Sequence, residues 1–116
     1  MESLRSDGNA VEIVYNGVNA GVTGPVEKGV PVLQDGFFGI TMQAASSGET
    51  IAIEIQLREH EILIDSRLTA AKGDILYLST DGTITTTNTD TPFLKVTVAK
   101  DANDYVWGVL LPQKTE

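Results

Sequence analysis

The chain has 116 residues, 41% of them hydrophobic, no cysteine, and sixteen acidic against eight basic side chains. That length fits one domain with its own core, and the missing cysteine excludes disulfides, thiolate metal sites and cysteine nucleophiles. A net charge of -8 repels phosphate backbones and so argues against nucleic-acid binding, while no apolar run reaches the ~20 residues of a membrane-spanning helix.

Residues 1–9 show no periodicity, and Leu4 is their one large aliphatic side chain after Met1. They are expected to form a flexible N-terminal arm before a single β domain over 10–116, either frayed or ordered as a strand added to a partner. No apolar region follows Arg5, so the terminus does not read as a signal peptide, and the chain is expected to be soluble and made in a cytoplasm. The acidic excess lies mostly in the first half: residues 1–64 hold nine acids and three bases. Solubility explains such a surface, and docking on a basic protein patch is the sharper alternative.

Val11, Ile13 and Tyr15 alternate onto one face of a strand. Asn16-Gly17, Gly21 and Gly24-Pro25 then punctuate short, turn-rich strands. Pro31 lies inside the apolar run 30–33 and cannot donate to a ladder, which predicts an edge strand or a bulge. Phe37 to Met42 predicts another strand, and Ser46-Ser47-Gly48-Glu49 the turn out of it. Over residues 50–58, Ile51, Ile53, Ile55 and Leu57 point one way, and Thr50, Ala52, Glu54, Gln56 and Arg58 the other. That period of two predicts a strand with core on one side and water on the other.

Glu59-His60-Glu61 reads as a polar joint before Ile62-Leu63-Ile64, with His60 at the surface or in a turn. Residues 65–71 are the only segment with helical character, one or two turns at most. Thr83 to Thr91 predicts a solvent-facing strand and loop. Leu94, Val96 and Val98 alternate inward, and after a turn at Asp101-Ala102-Asn103-Asp104 a last strand runs from Tyr105 to Leu111, stopped by Pro112. Most aromatic residues fall in apolar strands and are expected in the core.

Two stretches share one grammar. Lys28-Gly29 to Asp35-Gly36 and Lys72-Gly73 to Asp81-Gly82 both run Lys-Gly, apolar segment, Asp-Gly, as β-hairpins do. Eight to ten short strands with turns every ten or so residues predict an all-β fold with at most one short helix. The architecture expected is a small β-barrel or β-sandwich made of two related halves.

Catalytic and metal signatures are thin. His60 has no Gly-x-Ser-x-Gly elbow beside it, and Ile64 stands where a zinc-protease motif needs its second histidine. Glu54, Glu59 and Glu61 are close in sequence, but nothing marks one as desolvated and another as solvated, as acid–base work requires. Asp101-Ala102-Asn103-Asp104 opens like a calcium loop, yet Tyr105 occupies the third ligand position, so an Asx-type turn is the better reading, as at Asn88-Thr89-Asp90. No catalytic residue, cofactor or metal site is expected.

The two Lys-Gly units, the Gly39-Ile40-Thr41 and Gly108-Val109-Leu110 segments and the turn at Ser47-Gly48-Glu49 together resemble a family of small tailed-phage head proteins. Members of that family decorate the capsid exterior and are also called cement proteins. The resemblance spans about residues 18–111. It implies a compact β fold, often a homotrimer at local three-fold sites of the expanded head, whose partner is the major capsid protein. It implies no enzymatic activity and a place on the virion exterior, where the subunit bridges capsid subunits against internal DNA pressure. By that resemblance Met1, Leu4 and Arg5 belong to a capsid-binding arm, with Leu4 the apolar anchor and Arg5 the charged one. Residues 86–92 and Lys95 depart from the pattern. A small β-sandwich module binding carbohydrate or a cell surface is the alternative.

Overall fold

The computed structural model describes residues 10–34 and 36–113, so the expected arm with Met1, Leu4 and Arg5 lies outside the described residues. The described strands are β1 (Ala10–Val14), β2 (Val18–Asn19), β3 (Val22–Thr23), β4 (Pro31–Gln34), β5 (Phe37–Thr41), β6 (Thr50–Glu54), β7 (Glu59–Leu63), β8 (Ile75–Leu78), β9 (Ile84–Thr85), β10 (Thr91–Val98) and β11 (Tyr105–Leu110). None of the described residues is helical. The fold is all-β.

The strands pair into two sheets, ordered β1-β6-β5-β4 and β7-β11-β10-β8-β9, beside a small β2–β3 hairpin. Every strand pair is antiparallel. The two orders match position by position, with β9 as an added edge. The match extends to single bonds. Gly29 donates its N–H to the Thr41 carbonyl at 2.9 Å, and Thr41 donates to Val30 at 2.9 Å. In the second half Gly73 donates to Val96, and Val96 to Asp74, both at 2.8 Å. The two glycines sit at φ 84° and 94°, where a Cβ would be strained. The halves differ in their insertions: the β2–β3 hairpin follows the first strand of one, and β9 follows the second strand of the other.

Alternation along β5 and β6 sorts the apolar side chains into two cores on opposite faces of the first sheet. Phe38 and Ile40 pack with Ile62, Leu76, Leu78, Phe93, Leu94, Val96, Val106 and Leu110 of the second sheet. On the other face Ile51, Ile53, Ile13, Tyr15 and Val32 cluster with Val26 and Ala45. Gly39 makes the second cluster possible, because a Cβ there would lie 2.6 Å from the Glu54 carbonyl and 3.1 Å from Ile53. Gly108 does the same for the first, where a Cβ would meet the Leu94 side chain at 2.6 Å.

Pro31 lies on an edge strand, β4, as its missing N–H requires. The backbone edge there is also capped by side chains: Asn19 Nδ2 donates to the Pro31 carbonyl at 3.1 Å. Gln34 ties the same strand to β2 and the loop before it, accepting from Asn16 N–H and donating to the Val18 carbonyl, each at 3.0 Å.

Several expectations need correction. The strand from Thr50 ends at Glu54, and Leu57 is 56% exposed. Residues 55–58 instead form the crossing between sheets, tightened by an Arg58 N–H to Gln56 carbonyl bond. Val98 is exposed because the β10–β11 register shifts between Val96 and Val98, turning its side chain outward. Residues 65–71 are turn and coil: Leu68 N–H closes a turn on Asp65, whose carboxylate accepts from Arg67 N–H and guanidinium. That local competition by an aspartate side chain favours a turn over a helix.

Candidate functional site

The outer face of the five-stranded sheet carries the clearest candidate. On β11, Tyr105 and Trp107 alternate outward with inward Val106 and Gly108. Register places Leu63 opposite Tyr105, and both Glu61 and Val98 opposite Trp107. Leu63 is 57% exposed, Val98 52%, Trp107 40% and Tyr105 38%. These four side chains thus form one contiguous apolar patch, rimmed by Glu59, Glu61 and Lys95. Sequence reading assigned most aromatic residues to the core, and Tyr15, Phe38 and Phe93 are there, but Tyr105 and Trp107 are not. The signal was present in the alternation of 105–110, where Val106 and Leu110 take the core side.

His60 lies inside β7 rather than in a turn, with its side chain on the inward face opposite Gly108. Its Nε2 is 3.5 Å from Glu54 Oε1, and Glu54 Oε2 accepts from Arg58 at 3.1 Å. Glu54 is therefore half-buried at the seam between the sheets, not a solvent-facing strand residue. Burial pushes the His60 pKa down, partly opposed by Glu54 and reinforced by Arg58. His60 Nε2 is buried without a hydrogen-bond partner among the described residues, so no hydroxyl there is bonded to it as a nucleophile would be. Glu59 and Glu61 point outward from the same strand, and Glu59 accepts from Thr97 Oγ1 at 2.5 Å.

A cleft of about 380 Å³ lies between the β2–β3 tip and the β8–β9 loop, lined by Asn19, Pro31, Leu63, Asp65 and Thr83 among others. Its polar groups are committed elsewhere. Arg67 hydrogen bonds hold the Asp65 carboxyl well below the usual range. Asp81, beside the cleft, is held at about 2 by the Ser79 hydroxyl and then by Thr83. Asn19 Oδ1, in the cleft lining, is buried and unbonded among the described residues. No aromatic side chain lines the cleft, which leaves a sugar ring nothing to stack on.

Among the described residues no cluster of three or more His, Cys, Asp or Glu could hold a metal ion. The loop at 101–104 is an Asx turn: Asp101 Oδ1 accepts from Asn103 at 2.8 Å and Tyr105 at 3.1 Å. At Asp90 the carboxylate instead accepts the Thr85 hydroxyl at 2.7 Å. Among the described residues no helix is long and apolar enough to cross a membrane. No family model matches the chain, and no curated protein and no solved structure matches it.

Proposed function

We propose that this protein is a capsid decoration protein, binding the exterior of an expanded phage head and bracing it, as a homotrimer at local three-fold sites. The observation that carries the reading is the outer patch of Leu63, Val98, Tyr105 and Trp107. An exposed tryptophan and tyrosine on a hydrogen-bonded sheet are the anchors that dominate protein–protein binding energy. Strand positions hold them with little freedom, which lowers the ordering cost of association. Among the described residues the cleft beside β2–β3 brings no acid, base and nucleophile together, which supports a role carried by the surface. The sequence resemblance supplies the lattice: many identical sites reward a trimer through avidity even where each contact is modest.

The test is co-sedimentation of purified protein with expanded heads lacking their decoration protein. Saturable binding at a fixed ratio to capsid subunits is expected. Protein left wholly in the supernatant at saturating concentration contradicts the proposal.

A further inference from the structure

Strand β7 ends the five-stranded sheet and, among the described strands, pairs only with β11. Bonds from Leu110 N–H to the Arg58 carbonyl at 3.0 Å and from Ile64 N–H to the Asp104 carbonyl at 2.9 Å fix which way the backbone faces. Residues 58, 60, 62 and 64 turn their peptide groups toward β11. Those of Glu59, Glu61 and Leu63 therefore point away from the sheet, with no bonded partner among the described residues. The edges at β4 and β9 are treated differently. Pro31 has no N–H on β4 and its carbonyl is capped by Asn19, while β9 is only two residues long. An uncapped five-residue edge is a template for another strand.

We infer that the β7 edge accepts an extended basic segment of a partner protein as an added antiparallel strand. This does not rest on the capsid reading. The side chains that decide the occupant are Glu59, Glu61 and Leu63, all exposed on the outer face. Residues directly opposite on an antiparallel pair interact through their side chains. An incoming strand thus meets one apolar position, at Leu63, and two acidic ones, with the Tyr105–Trp107 patch continuing beyond. A second copy pairing about Glu61 sets Glu61 against Glu61, a like-charge pair that disfavours self-association. Lysine or arginine at the two alternate positions matches both carboxylates and the net charge of -8.

The probe is a terminally blocked peptide, Val-Thr-Lys-Thr-Lys, added to the full chain while amide exchange is followed by NMR. At a concentration of about 100 Kd, the amides of Glu59, Glu61 and Leu63 are expected to exchange about a hundredfold more slowly. The same peptide N-methylated at Val and both Lys keeps its charge but loses the bonding edge, and is expected to give no protection. Glu59→Lys/Glu61→Lys, checked for fold by circular dichroism, is expected to transfer the preference to Val-Thr-Glu-Thr-Glu. Should that variant fail to fold, the wild-type comparison of plain and N-methylated peptide decides alone. The inference is overturned if the three amides are unaffected by the plain peptide, if they are already as protected as Ile62 without it, or if the N-methylated or acidic peptide works equally well on the wild type. Protection that rises with protein concentration alone overturns it in favour of a second copy.

Discussion

Trp107 faces Val98 across the β10–β11 ladder, on the outer surface of the sheet, because the register slips between Val96 and Val98. Without that slip Val98 would continue the inward alternation of Leu94 and Val96 and leave Trp107 without its apolar neighbour. A bulge commonly re-aims a side chain in this way. Since both side chains are substantially exposed, Trp107→Ala should change unfolding free energy by less than about 1 kcal/mol. Chemical denaturation checks this, and a larger loss makes Trp107 a core residue instead of a docking one.

Gly108 and Gly48 separate two reasons for glycine. At Gly108 a Cβ would press on Leu94 at 2.6 Å and on the Lys95 carbonyl at 2.8 Å in the main core, so Gly108→Ala should cost about 1–3 kcal/mol by overpacking. At Gly48 the space is open but φ is 87°, and Gly48→Ala should cost about 1 kcal/mol through backbone strain alone. Urea midpoints of the two variants should fall in that order.

Gln34 is a buried polar side chain with both ends used. Replacing it by leucine keeps the volume but strands the Asn16 N–H and the Val18 carbonyl. The expected loss is about 1–3 kcal/mol. A Gln34→Leu protein as stable as wild type would show that the loop before β2 contributes nothing to β4.

The His60 imidazole is disfavoured as a cation in the folded chain, chiefly by burial. In the unfolded chain it titrates near its ordinary value of 6.5. As pH falls through that value the unfolded state takes up the proton first, so stability should decline until the folded-state pKa is passed. Above the ordinary value the group is neutral in both states and contributes no slope. His60→Gln should flatten this part of the curve, measured as denaturation midpoint between pH 7.5 and 5.

Much of the fold was legible because its strands obey period two. Pro31 announced an edge, and the paired Lys-Gly and Asp-Gly units announced two related halves whose strand orders coincide. What failed was the assignment of register and direction at places where neighbours decide. Leu57 continues the Ile51–Ile53 alternation in sequence, but the chain must leave one sheet for the other after Glu54. Val98 continues Leu94 and Val96, but the bulge inverts it. Glu59-His60-Glu61 reads as a polar joint because its outward residues are acidic, while the pairing of His60 with Gly108 that makes it a strand is set by residues 48 positions away. The candidate patch was missed for the related reason that Tyr105 and Trp107 look like core residues until Val106 and Leu110 are seen to claim the inside.

The most direct measurement is the binding isotherm of wild type and Tyr105→Ala/Trp107→Ala on expanded heads lacking decoration protein. Removing two central aromatic anchors should weaken binding by about thirtyfold or more, with the fold of the variant unchanged by circular dichroism. Equal binding by both proteins, or no binding by the wild type, contradicts the assignment of this face as the docking surface.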